Sequence, residues 1–212
     1  MMKKISKNYK KILGLIFCNN INKSCTIENI IKQSDLDKEY LLGQLKILKE
    51  KKYILQRNKS YFITKNGRLK ISVVLTGGVY DIIHPGHIYT LKKSKKMGDV
   101  LIISIATDER VKKIKNKKPL NNEKRRAELV SSIRYVDYAL VGNKKSIFNT
   151  VKKIKPDIIT IGYDQKHNIT KFKKLAGKDN MKIKIVKLDS PIPKVKSSVI
   201  IKRDIQKEKE II

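Results

Sequence analysis

The chain has 212 residues, of which 40% are hydrophobic and 33% charged, and its formal net charge is +31. That length can bury a full α/β core with a smaller unit to spare, and no apolar run approaches the roughly 18 to 20 residues of a membrane span. The start, MMKKISKNYKKILGLIFCNN, has no small-residue cleavage site after its short apolar stretch, so a cytoplasmic protein without membrane contact is expected. Cys18 and Cys25 lack C-x-x-C spacing, which argues against a disulfide framework or a zinc site and for buried free thiols.

The basic surplus is mostly lysine, 43 of 50 basic residues, and is spread over both halves: +12 for residues 1–70 and +19 for 71–212. Arginine is the residue suited to forked contacts with bases and phosphates. A lysine-rich surplus reads as compositional bias as readily as a dedicated binding face. Either way it attracts polyanionic substrates.

The first domain is expected over residues 1–68. Tyr9, Ile12, Leu13, Leu15 and Ile16 recur at helical spacing, Thr26 caps a short helix through Lys32, and Leu36 to Lys51 forms an amphipathic helix with Tyr40, Leu41, Leu45 and Leu48 on one face. Tyr53–Gln56 and Ser60–Thr64 then read as strands around a turn at Arg57-Asn58-Lys59. Three helices and a hairpin in this order resemble a winged helix. That likeness implies either DNA binding, through Lys46, Lys49, Arg57 and Lys59, or a packing or dimerisation module; the acidic Asp37, Glu39 and Glu50 on the same helix leave both open.

The second domain is expected over 71–212. Ile71 to Leu75 is an apolar β-branched run, Gly77 and Gly78 permit a tight turn, and His84 and His87 lie three apart across Pro85 and Gly86. If Pro85 opens a helix, its missing N–H costs nothing, and both imidazoles reach the anion held at that helix start. The joint pattern reads as a phosphate site. Beyond it, Gly98 ends a helix that runs through Met97, Val100–Ala106 forms a buried strand, and Asn121 or Asn122 caps a helix from Glu123 to Arg134. Ala139–Val141 (strand), Ile147–Lys155 (helix) and Ile158–Ile161 (strand) follow. Met181–Leu188 reads as an edge strand, and Ser197 or Ser198 caps a last helix. This alternation predicts an α/β fold, a doubly wound Rossmann-like parallel sheet, with ligands beyond the carboxyl ends of its strands.

GVYDIIHPGH resembles the G-x-[FY]-D-x-x-H-x-G-H signature of the cytidylyltransferase-like nucleotidyltransferases. IATDERVKK (105–113), SSIRYVDYALVG (131–142), PDIITIGYDQ (156–165) and KSSVIIKR (196–203) recur in that family's order. The resemblance implies transfer of a nucleoside monophosphate from ATP or CTP to a phosphorylated acceptor, releasing pyrophosphate, with a divalent cation, Mg²⁺, taking part. It also implies that the Val79 and Tyr80 backbone, Pro85, Gly86 and the two histidines bind the triphosphate, His84 and His87 stabilising the transition state, while Asp81 orders the loop. Lys115, with Lys112 and Lys113 as alternatives in register, matches a phosphate-binding lysine; Arg134, Asp164, Ser197 and Ser198 match nucleotide-contacting positions.

Two subfamilies are most similar, the archaeal FAD synthases through GYDQ and the glycerol-3-phosphate cytidylyltransferases through TDE and IRYVD. The latter carry R-T-x-G-I-S-T-T where this chain has PIPKVKSS, with Pro191 in place of the arginine and Lys196 in place of a hydroxyl residue. The departure favours ATP and FMN, with CTP and glycerol 3-phosphate as the alternative. A transcriptional regulator with a nucleotide-sensing domain is the reading from another class, and a homodimer is a further expectation.

Overall fold

The structure is a computed structural model that describes residues 6–22, 25–34, 36–144, 146–162 and 181–189, together with Thr170 and Gly177. The chain divides into two compact units, residues 1–73 with 98–100, and residues 74–97 with 101–212.

In the first unit α1 (Lys7–Ile21) is capped by Ser6 and buries Ile12, Leu13 and Ile16 completely. Helix α2 (Ile27–Gln33) starts with a reciprocal cap: the Thr26 hydroxyl accepts from the Asn29 amide, and the Asn29 side chain accepts from the Thr26 amide. Asp37 caps α3 (Lys38–Glu50), which turns Leu41, Leu45 and Leu48 inward. Tyr40, expected on that face, is instead 43% exposed, its hydroxyl accepting from the Asn8 side chain. A phenol can lie at the margin of an apolar face because its polar tip stays satisfied. Strands β1 (Ile54–Arg57) and β2 (Ser60–Ile63) pair antiparallel with Arg57 opposite Ser60, so the turn is the two residues Asn58 and Lys59, with Asn58 at φ 52°. A single turn of helix, α4 (Lys65–Arg68), follows. The three helices and hairpin therefore stand in the expected order. Cys18 and Cys25 are buried and not joined in a disulfide, and burial pushes the Cys25 thiol up to about 12.

The second fold is a five-stranded parallel sheet in the order β5-β4-β3-β6-β7, formed by β3 (Val73–Gly78), β4 (Val100–Ile105), β5 (Tyr138–Val141), β6 (Ile158–Ile161) and β7 (Lys184–Lys187). All six residues of β4 are buried, as a strand covered on both faces requires, while β7 lies at the sheet's edge with exposed ends. The connecting helices are α5 (Pro85–Lys95), α6 (Asp108–Lys115), α7 (Glu123–Ser131) and α8 (Ile147–Ile154). Chain order moves outward from β3 through β4 to β5, then crosses back to β6 on β3's other side. That reversal opens a crevice at the carboxyl ends of the central strands, where open α/β sheets bind ligands.

Three expectations change. Gly77 and Gly78 do not turn the chain: both belong to β3, neither has a positive φ, and the reversal comes at Tyr80, with φ 54°. Residues 108–115, to which the apolar pattern assigns no element, form α6, capped by the Thr107 hydroxyl. Helix α7 ends at Ser131 rather than Arg134. The Ser131 and Ser132 hydroxyls both donate to the Glu128 carbonyl beside the Ser132 amide, and the Ile133 amide turns to the Val130 carbonyl, three residues back rather than four, which closes the helix.

Candidate active site

The site is built where β3 hands over to α5. His84 occupies the N-cap position of α5 in extended conformation and makes no side-chain cap bond; Pro85 opens the helix, as its fixed φ and missing donor favour. Three residues at the start of one helix turn bring the two imidazoles together, ring centroids 3.9 Å apart at 33°. The Tyr80 ring also packs on His87, with centroids 4.9 Å apart.

The pair stands in a half-buried, positively charged setting. His87 is pushed down to about 4, first by burial, then by His84 and by Lys115, against the opposing pull of a backbone hydrogen bond at Ile82. Its imidazole is therefore neutral at neutral pH, and an arriving anion would raise its affinity for a proton. The charge of Lys115, at the last position of α6, bears on His87. Lys113 is engaged by Glu109, Nζ to carboxylate 2.9 Å.

Asp81 orders the loop, as expected. Its carboxylate accepts from the backbone amides of Leu120 and Asn121, each at 2.9 Å, while the Asn121 side chain donates to the Asp81 carbonyl. The residue that sequence reasoning missed is Arg126. Though charged, it is completely buried. Its guanidinium donates to the carbonyls of Val79, Ala106 (2.7 Å) and Asn121 (2.9 Å) and to the Asp108 carboxylate (2.6 Å). One side chain thus ties the loop after β3 to the start of α6 after β4 and to the strand of chain entering α7. A planar fork with five donors can do this where a lysine could not. The one available signal was its position four residues before buried Val130, on the inward face of α7.

Val79, Tyr80, Pro85, Gly86, His84, His87 and Lys115 are accordingly clustered about one loop and two helix ends. Arg134 is exposed, three residues beyond α7, with its guanidinium 5.2 Å over the Tyr135 ring. Asp164, Ser197 and Ser198 lie outside the described residues. Among the described residues no group of three or more His, Cys, Asp or Glu side chains could hold a metal ion, and no helix is long and apolar enough to cross a membrane.

Comparison with known proteins identifies the family. An FAD synthase of Picrophilus torridus is 42% identical over 132 residues, 62% of this chain and 94% of that protein. An FAD synthase of Pyrococcus abyssi is 41% identical over 140 residues, 65% of this chain and 94% of its own. Among solved structures, the lipopolysaccharide core biosynthesis protein from Thermoplasma volcanium matches with a TM-score of 0.55 and 38% identity, over 57% of this chain and 98% of that one. The cytidylyltransferase-like family model matches residues 75–203, which contain the whole imidazole site, and the chain belongs to that family of nucleotidyltransferases.

Proposed function

We propose that the chain is an FAD synthase, transferring the adenylyl group of ATP to the phosphate of FMN. The observation that carries this reading is the stacked His84–His87 pair, with Lys115 acting on it, in a chain about 40% identical to FAD synthases over nearly their whole length. A phosphate oxygen of FMN attacks the α-phosphorus of ATP; the new P–O bond forms as the bond to the β-phosphate oxygen breaks, and pyrophosphate leaves. The attacking phosphate is already ionised at neutral pH, so alignment and charge neutralisation are what the protein must supply. The imidazoles donate N–H groups to the oxygens of the five-coordinate phosphorus, Lys115 offsets the charge gathering on the leaving pyrophosphate, and Asp81 and Arg126 hold the loop rigid. A divalent cation, which nucleotidyl transfer generally uses, would supply further charge neutralisation to the triphosphate beside Lys115 and the imidazoles.

The choice of ATP and FMN over CTP and glycerol 3-phosphate is supported by the relatives' names and by the absent arginine at Pro191. The test is pyrophosphate release by the purified chain with each triphosphate paired with FMN, glycerol 3-phosphate and other phosphorylated acceptors. A preference for CTP and glycerol 3-phosphate would overturn it.

Residues 1–73 precede the family match. For them we propose a nucleic-acid contact through Lys46 on α3 and Arg57 and Lys59 at the hairpin, all exposed. In the full-length chain, replacing each by Ala should lessen the log–log salt slope of duplex DNA binding by about 0.9 per lost contact. An unchanged slope in the triple variant would assign this unit to packing instead.

A further inference from the structure

We propose that Tyr80 is a positioning residue for the imidazole pair, its ring seated in a space that exists because residue 78 has no side chain, and there fixing the placement of His87. Four observations meet at this ring. Tyr80 has φ 54°, a left-handed conformation that is strained for an aromatic residue and persists only where the surroundings over-determine it. The surroundings do so: the Val79 carbonyl is held by Arg126 on one side, and the Asp81 carboxylate by the Leu120 and Asn121 amides on the other. The ring itself is 2% exposed, in a cluster with Val74, Leu91 and Leu101. A Cβ placed on Gly78 would meet that ring at 2.7 Å from Cε2, closer than real Cβ atoms come, and at a tight 3.1 Å from Cδ2 and Cζ, so the ring would have to shift.

From this seat the ring reaches the site, 4.9 Å from the His87 ring at 44°, and the His84 ring is 3.9 Å from that of His87. A functional imidazole is commonly oriented by a hydrogen bond at the nitrogen it does not use. In His87 a backbone hydrogen bond at Ile82 acts on the imidazole, and packing against Tyr80 shares with it in fixing the ring's tilt and in keeping water from it. The second glycine of the pair thus has a steric purpose. Gly78 leaves room for Tyr80, Tyr80 places His87, and His87 faces the phosphates.

The consequence for turnover rests on the reading of His87 as a donor to the triphosphate, whereas the placement does not, and the experiment separates them. The full-length protein has three histidines, His84, His87 and His167, so side-chain NMR can follow His87 through a pH titration. Gly78→Ala and Tyr80→Leu should each move its midpoint upward by one pH unit or more, toward ordinary imidazole, as water gains access. Both should lower kcat for FMN adenylylation about tenfold with KM for ATP within twofold. Tyr80→Phe, which keeps the ring, should match the wild type in both readouts. The double variant Gly78→Ala/Tyr80→Leu should lose no more than the worse single variant, because both disturb one contact. An unmoved His87 midpoint in folded Gly78→Ala or Tyr80→Leu would overturn the proposal, as would multiplying losses in the double variant or a loss in Tyr80→Phe equal to that in Tyr80→Leu. If Tyr80→Leu does not fold, Gly78→Ala and Tyr80→Phe decide. A moved midpoint with no FAD formed by any variant or the wild type would sustain the placement and defeat only the catalytic reading.

Discussion

Replacing Arg126 by Met removes a buried charge while keeping most of the volume of the side chain. Four acceptors then lose their donor: the carbonyls of Val79, Ala106 and Asn121, and the Asp108 carboxylate. Breaking a buried, hydrogen-bonded charge pair from one side costs about 3–5 kcal/mol. Asp108 is 38% exposed and can turn to water, which moves the expectation toward the lower end, about 3–4 kcal/mol. With a urea dependence of about 2 kcal/mol per molar, the unfolding midpoint of the catalytic unit should fall by about 1.5–2 M. Arg126→Lys keeps the charge but not the fork and should fall by roughly half as much. Urea titrations followed by circular dichroism measure both. A midpoint for Arg126→Met within about 0.3 M of the wild type would refute the reasoning, for it would mean that three loops hold their places without the donor they share.

Other consequences follow from the same site. His87 is neutral in the native protein down to about pH 4, whereas an unfolded imidazole takes its proton near 6.5. Between these values the unfolded state binds more protons, so stability is fully present above pH 6.5 and falls as pH drops toward 4; His87→Gln should flatten that slope in melts across this range. Lys115→Ala should raise KM for ATP about tenfold, and Lys113→Ala, whose lysine is occupied by Glu109, should stay within about twofold. Asp81→Asn replaces one carboxylate oxygen by an amide, and amide exchange at Leu120 and Asn121 should quicken by tenfold or more.

The legible parts of this chain were those where one pattern has one physical meaning. A β-branched run, a proline and two histidines three apart gave β3, the start of α5 and the imidazole pair, because spacing on a helix start determines which side chains meet. The alternation of apolar runs likewise gave the sheet and its neighbours. Helix α6 was hidden because only Val111 of its eight residues is buried, which leaves no apolar period to detect. Arg126 was hidden by its charge: in NEKRRAEL it looks like a surface cation, and only the three loops that converge on it explain its burial. Gly77 and Gly78 were read for backbone freedom, the commonest use of paired glycines. In this fold their value is small size, since a Cβ on Gly78 would strike Tyr80 and one on Gly77 would come within 3.1 Å of the Ser104 carbonyl. Contacts between residues distant in sequence carry that information, and local pattern does not.

At the centre of the chemistry stands transfer of an adenylyl group to FMN by means of the His84–His87 pair. It is tested most directly by incubating full-length protein with FMN and ATP labelled in its α-phosphate, and following label into FAD in the wild type, His84→Ala and His87→Ala. The wild type should transfer label into FAD, and each variant, still folded, should do so with kcat lower by about a hundredfold or more, as for lost donors to a charged transition state. No label in FAD after incubation with the wild type, or near-normal transfer by both variants, would contradict this mechanism.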